Sequence, residues 1–142
     1  MSTERVLNLV LVEDDEVDIM NVRRALDRAH VTNPLFVANN GLEGLELLRS
    51  GRVPRERRLI LLDLNMPKMN GIEFLRELRQ DPELRGTPVV VLTTSDDERD
   101  KVHAYDLNVA GYLLKPVTFV NFVDAMSTLN KYWALVELPD TH

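Results

Sequence analysis

Short apolar runs and amphipathic stretches alternate along the chain. Nearly continuous apolar residues occupy 6–12, 59–62 and 89–92. These runs are too short for a helix and have no polar face, so they predict strands buried on both sides of a parallel sheet. Shorter runs at 34–38 and 112–114 predict two further strands.

Between these runs, apolar residues recur at helical spacing. The pattern predicts helices over 16–30, 42–50, 72–80 and 96–107, and a last helix from residue 118 onward. Strict alternation of strands and helices predicts an α/β fold, a doubly wound five-stranded parallel sheet with helices on both faces. The run at 59–62 is the most apolar and therefore central, which favours the flavodoxin-like order 2-1-3-4-5.

The chain has 142 residues, a net charge of -6 and no cysteine. We expect one domain over 1–142, with a core at 6–131 and a C-terminal extension at 132–142 that contributes to a dimer contact. The acidic charge argues against nucleic acid as a partner. No apolar run approaches the ~20 residues of a membrane span, and the polar N-terminus lacks a signal peptide, so we expect a cytoplasmic protein.

Polar side chains follow four of the predicted strands at their carboxyl ends. Asp14 and Asp15 follow the first strand, Asp63 the third, Thr93 the fourth and Lys115 the fifth. The carboxyl ends of parallel strands meet at one edge of the sheet, and ligands bind there at the switch point between strands one and three. The sequence therefore predicts an acidic cluster in a crevice, with a lysine beside it.

This set of residues suits phosphoryl transfer. Three neighbouring carboxylates repel one another and require a cation or a raised pKa, and Mg²⁺ is the cation that best suits oxygen ligands and phosphate. A carboxylate can attack phosphorus, while a lysine and a metal balance the charge that develops. Taken singly, Asp63 could cap a helix, Lys115 could be a surface charge, and Thr93 and Tyr112 could be a turn residue and a half-buried aromatic.

The motifs together resemble the receiver domain of two-component response regulators, over residues 6 to about 131. The marks are the acid pair at 14–15, the loop 63–71, Thr93, and the Tyr-Leu-Leu-Lys-Pro run at 112–116. The resemblance implies that Asp63 accepts a phosphoryl group from a sensor histidine kinase and that Lys115 pairs with it. It also implies that Asp15, Asp63 and the main-chain carbonyl of Asn65 bind Mg²⁺ directly, and that Asp14 acts largely through water.

The resemblance further implies a switch and no conventional enzyme activity beyond self-phosphorylation and self-dephosphorylation. The Thr93 hydroxyl would move toward the phosphoryl group and the Tyr112 ring would turn inward. The predicted helix 96–107, the last strand and the last helix would then present the changed surface to a partner. The family usually has a cis peptide before the proline that matches Pro116.

Two further features concern partners. The sequence at 91–95, 104–105 and 132–133 is similar to that of single-domain regulators that partner bacterial and cyanobacterial phytochromes. The last helix carries a stripe (Phe119, Phe122, Met126, Leu129 and Trp133) and more apolar residues off it, including Val120 and Val123. Residues 134–138 add a further apolar segment after this helix. Core packing could explain the stripe but not this segment as well, so we expect a homodimer through this helix and the extension.

Two alternatives stay open at this point. A phosphatase of the haloacid dehalogenase type also uses a strand-end aspartate, magnesium and a lysine, but it typically has a second aspartate where this chain has Asn65. A phosphorylation-independent interaction module is the other.

The arginines at 52, 55, 57 and 58 favour a solvated loop over a nucleic-acid site.

Overall fold

The computed structural model describes residues 7–64, 66, 68–94, 106–125 and 127. Its five strands are β1 (Asn8–Val12), β2 (Leu35–Ala38), β3 (Arg58–Asp63), β4 (Val89–Thr93) and β5 (Gly111–Leu114). All neighbouring strands are parallel and lie in the order β2-β1-β3-β4-β5. The predicted fold class and strand order are therefore confirmed, with β3 in the centre.

The described helices are α1 (Glu16–Arg28), α2 (Gly41–Ser50) and α3 (Gly71–Gln80), followed by a helical segment at 119–125, here named the C-terminal helix. The helix predicted over 96–107 falls mostly on residues outside the described ranges, as does the extension at 132–142. No helix in the described part of the chain combines the length and apolar character needed to cross a bilayer.

The sheet separates two apolar cores. Side chains of α2 and α3, including Leu48 and Phe74, pack with Val12 and Leu62 on one face. Side chains of α1 and the C-terminal helix, including Leu26 and Phe122, pack on the other face. Because alternate residues of each strand point to opposite faces, the continuous apolar runs seen in the sequence serve both cores.

Arg58 corrects the view that the arginines at 52–58 form a solvated loop. Its side chain is buried, and its guanidinium donates hydrogen bonds to the main-chain carbonyls of Leu48, Val53 and Pro54. These bonds satisfy carbonyls in the last turn of α2 and in the loop after it, and they fix the start of β3. Burial lowers the pKa of Arg58, and repulsion from Arg55 adds to this shift.

Asn70 and Gly71 form the start of α3. The Asn70 side chain accepts a hydrogen bond from the Glu73 N–H, and the Glu73 side chain accepts one from the Asn70 N–H, which is a capping box. Gly71 has no space for a side chain, because a Cβ there would lie 2.6 Å from the main-chain oxygen of Asp63. The first turn of α3 is therefore packed directly against the end of β3.

Replacement of Gly71 by alanine tests this packing. We expect Gly71→Ala to lower the free energy of unfolding by about 2 kcal/mol, because the new methyl group must displace main-chain atoms of β3. Urea unfolding measures the change. Gly86→Ala is the matched control, since a Cβ at Gly86 meets no atom within 4 Å, and its effect should stay within ~0.5 kcal/mol. Equal effects of the two changes would contradict the close packing.

Candidate functional site

The carboxyl edge of the sheet brings the predicted strand-end residues together. Asp63 is the last residue of β3 and Thr93 the last of β4, and both side chains are buried. Lys115 follows β5, and its N–H donates to the Thr93 carbonyl at 2.8 Å. The peptide bond between Lys115 and Pro116 is cis, as the resemblance implied. Three neighbouring strands thus deliver a carboxylate, a hydroxyl and an ammonium to one place.

Glu13, Asp14 and Asp63 form a compact acidic group. Each offers one carboxylate oxygen, and these oxygens lie within 4.8 Å of one another. Glu13 is fully buried, and its N–H donates to the Ala38 carbonyl, so the backbone continues the pairing of β1 with β2 for one residue. Asp14 follows it at the surface, where its side chain is exposed.

Asp15 does not belong to this group, which corrects the pairing of Asp14 with Asp15. Its carboxylate is the N-cap of α1 and accepts hydrogen bonds from the N–H groups of Val17 and Asp18, at 2.8 and 3.2 Å. A cap satisfies N–H groups that the first turn of a helix leaves without partners. The place beside Asp14 and Asp63 that the sequence suggested for Asp15 is occupied by Glu13.

The Lys115 ammonium lies among three carboxylates. Its Nζ is 2.7 Å from Oε1 of Glu13, 2.8 Å from Oδ2 of Asp18 and 3.2 Å from Oδ1 of Asp63. The side chain of Lys115 is only 7% exposed, so water screens these attractions weakly. The ammonium therefore offsets much of the repulsion between the acids that surround it.

The pKa values of the buried pair shift in the directions that this arrangement requires. Burial raises the pKa of Glu13 to about 7, repulsion from Asp63 adds to the rise, and Lys115 opposes it. Burial alone would lower the pKa of Lys115, but its contacts with Asp18 and Glu13 and the attraction of Asp63 raise it above the usual lysine value. The lysine therefore stays charged, whereas Glu13 takes up a proton near neutral pH.

The acidic group fits a divalent cation. Lys115 approaches Oε1 of Glu13 as a charge partner and not along a hydrogen-bond direction, so among the described residues this buried oxygen makes no hydrogen bond. A buried acceptor without a hydrogen bond, next to two further carboxylates, is suited to a hard cation such as Mg²⁺. The main-chain carbonyl of Asn65, also expected at this site, lies outside the described residues.

Thr93 and Tyr112 lie next to this edge on β4 and β5. The Thr93 side chain is completely buried. Tyr112 pairs in register with Val91 and is half-buried, where its ring packs against the core formed with α2 and α3. The two residues are thus placed on neighbouring strands, and their predicted role as a switch stays a prediction.

The sequence interpretation missed Glu13 and Asp18. A stricter reading of helix starts could have found Glu13: aspartate is a preferred N-cap residue, so Asp15 is the natural cap and Glu13 is the acid left at the strand end. Asp18 has no comparable signal, because its partner Lys115 is 97 residues further along the chain.

Comparisons with known proteins show the family of this chain. The model of the response regulator receiver domain matches residues 9–127, and the chain belongs to that family. It is 36% identical over 128 residues to the response regulator Rcp1 of Synechocystis sp., which covers 88% of this chain and 87% of Rcp1.

Solved structures point to the same group of regulators. The bacteriophytochrome response regulator RtBRR has a TM-score of 0.79 and 39% identity, covering 87% of this chain and 78% of its own. The phosphorylated cyanobacterial phytochrome response regulator RcpA has a TM-score of 0.73 and 37% identity, covering 90% and 94%. An Mn²⁺-bound form of Rcp1 has a TM-score of 0.68 and 36% identity, covering 90% and 92%.

The raised pKa of Glu13 predicts how stability depends on pH without metal. The folded protein holds a proton on Glu13 up to about pH 7, whereas the unfolded chain releases it near the ordinary value of about 4.5. The free energy of unfolding should therefore fall as pH rises from about 4.5 to about 7, by up to ~3 kcal/mol from this residue. Urea unfolding in EDTA across this range measures the slope.

The variant Glu13→Gln should remove that contribution, because glutamine does not titrate. Glu46→Gln, on the exposed side of α2, is the control for loss of a carboxylate elsewhere and should keep the slope. An unchanged slope in Glu13→Gln would show that the buried proton is held elsewhere.

Proposed function

We propose that this protein is a response regulator of a two-component system and that Asp63 is its phosphoacceptor. The observation that carries this proposal is the nearly buried Lys115 ammonium, which lies 3.2 Å from Oδ1 of the buried Asp63. A lysine so placed can pair with a phosphoryl group on the carboxylate it already contacts. Membership of the receiver family supports the same role.

The donor in this proposal is a phosphohistidine of a sensor histidine kinase. An Asp63 carboxylate oxygen forms a bond to phosphorus while the bond from phosphorus to the imidazole nitrogen breaks, and that nitrogen keeps the electron pair. Glu13, Asp14 and Asp63 would hold Mg²⁺, which, when bound, neutralises charge on the phosphoryl oxygens. Lys115 would add a second positive charge next to the Asp63 carboxylate.

In this proposal, Thr93 and Tyr112 transmit the effect of Asp63 phosphorylation to the surface. The Thr93 hydroxyl, buried at the end of the strand next to β3, would donate to a phosphoryl oxygen. Tyr112, on the adjacent strand, would move into the space that Thr93 leaves. Such a change alters the surface near β5 and the C-terminal helix, where a partner would read it.

A phytochrome is the kinase class that the comparisons favour. Relatives that share 36–39% of their residues with this chain include Rcp1 and the phytochrome response regulators RtBRR and RcpA. We therefore propose a bacterial or cyanobacterial type of phytochrome kinase as the phosphodonor.

Phosphorylation by a small donor tests the acceptor. Incubation with acetyl phosphate and Mg²⁺ should add one phosphoryl group to the wild-type chain, seen by intact mass and located to Asp63 by borohydride trapping. Asp63→Asn should abolish the modification, because the amide is not a nucleophile toward phosphorus. Asp27→Asn removes an exposed carboxylate from α1 and should be modified normally. Modification of Asp63→Asn to the wild-type extent would end the proposal.

Metal titration separates the roles of the neighbouring acids. Asp14→Ala should weaken Mg²⁺ binding at least ~tenfold in calorimetry, because it removes a proposed ligand. Asp15→Ala should change that affinity less than ~twofold but lower the free energy of unfolding by about 1 kcal/mol, because it removes the cap of α1. Asp15→Asn should restore the stability, because asparagine also caps helices. Loss of Mg²⁺ binding in both Asp15 variants would instead indicate that Asp15 is a metal ligand.

We also propose that the protein forms a homodimer through the C-terminal helix and the extension that follows it. Val120 and Val123 are off the buried face of this helix, with 67% and 40% of their surface exposed. In sedimentation experiments at high micromolar concentration, wild type should be a dimer, and the double variant Val120→Glu and Val123→Glu a monomer. Leu42→Glu, which charges an equally exposed leucine of α2 (50% exposed), should remain a dimer. A monomeric wild type would contradict the proposal.

A further inference from the structure

Asp18 is the third carboxylate around Lys115, and it comes from a helix and not from the end of a strand. Its Oδ2 accepts a hydrogen bond from Nζ of Lys115 at 2.8 Å. It is absent from the acidic group of Glu13, Asp14 and Asp63 that could hold a cation. Its role must therefore be sought in its contact with the lysine.

The first turn of α1 holds Asp18 in place. The Asp18 N–H donates to the carboxylate of Asp15, which caps the helix. One and two turns further on, α1 is anchored in the core by Val22, Ala25 and Leu26. The Asp18 side chain is 23% exposed, so its charge is partly shielded from water where it meets the ammonium. The helix therefore holds the backbone of Asp18 in place, and its carboxylate contacts the ammonium directly.

The ammonium lies closer to Glu13 and Asp18 than to Asp63. The distances from Nζ are 2.7 and 2.8 Å to the first two residues and 3.2 Å to the third. An ammonium has three N–H donors; one of them is hydrogen-bonded to Asp18, while the carboxylates of Glu13 and Asp63 lie at ion-pair distance. A phosphoryl group on Asp63 adds oxygens that need the same donors, so Lys115 must give up part of its present contacts to reach them.

We propose that Asp18 is a resting-state latch: it holds the Lys115 ammonium toward α1 and competes for it with the phosphoryl group on Asp63. This inference rests on the proposed function. Asp18 acts through Lys115 and is a positioning residue. Its negative charge also repels an incoming dianion, so both effects oppose the phosphorylated state. Loss of the Asp18 charge should shift the population toward the state in which Lys115 contacts the phosphoryl group.

Binding of beryllofluoride, an analogue of the acyl phosphate, tests the latch. In the full-length protein with saturating Mg²⁺, fluorine NMR should show that Asp18→Asn binds beryllofluoride roughly three- to tenfold more tightly than wild type. Asparagine keeps the size of the side chain and an acceptor oxygen, so the fold is conserved. Asp27→Asn, the same change on the exposed side of α1, is the matched control and should bind as wild type does.

A second measurement separates competition for the lysine from a general change in charge or structure. In a Lys115→Met background, Asp18→Asn should raise the beryllofluoride affinity less than ~twofold, because the competition for the ammonium is gone and only the direct repulsion by Asp18 is relieved. Equal gains with and without Lys115, or an unchanged or weaker affinity in Asp18→Asn, would overturn the latch. If the wild-type protein binds no beryllofluoride at Asp63, the proposed function fails, and the latch fails with it.

Discussion

The charge of Lys115 is what allows acidic side chains to gather at the carboxyl edge of this sheet. Glu13, Asp18 and Asp63 all lie within 3.2 Å of its Nζ, and the ammonium is nearly excluded from water. Without it, the buried carboxylates would repel one another in a medium that screens charge poorly. The raised pKa of Glu13 shows that even this cation does not fully compensate for the burial of that acid. The site therefore has more negative than positive charge, which favours the binding of a divalent cation.

The chain builds this site from one short acidic run and three distant residues. Within residues 13–18, Glu13 extends a strand into the core, Asp14 faces solvent, Asp15 caps a helix and Asp18 reaches the lysine. Each function follows from position: the strand buries the first acid, and the helix start needs a side-chain acceptor two residues later. Neighbouring residues of the same type thus have unlike environments, which is how one sequence motif supports both structure and chemistry.

The sequence predicts the fold well because its strands are continuous apolar runs and their order follows from which run is most buried. It also predicts Asp63, Thr93 and Lys115 at one edge, because parallel strands end together, and the structure places them there. It misplaces Asp15, because several acids in a row do not reveal by themselves which one caps the helix. It cannot foresee the contact of Asp18 with Lys115 or the burial of Arg58, since both depend on how separate elements meet in three dimensions.

The central strand is tied at both ends. At its first residue, the Arg58 guanidinium donates hydrogen bonds to three main-chain carbonyls. At its last residue, the main chain of Asp63 packs closely against Gly71 in the first turn of α3. A strand clamped in this way resists sliding along its own axis. Under the proposed function, a phosphoryl charge added to Asp63 would therefore be accommodated less by backbone movement of β3 than by side chains on β4, β5 and α1.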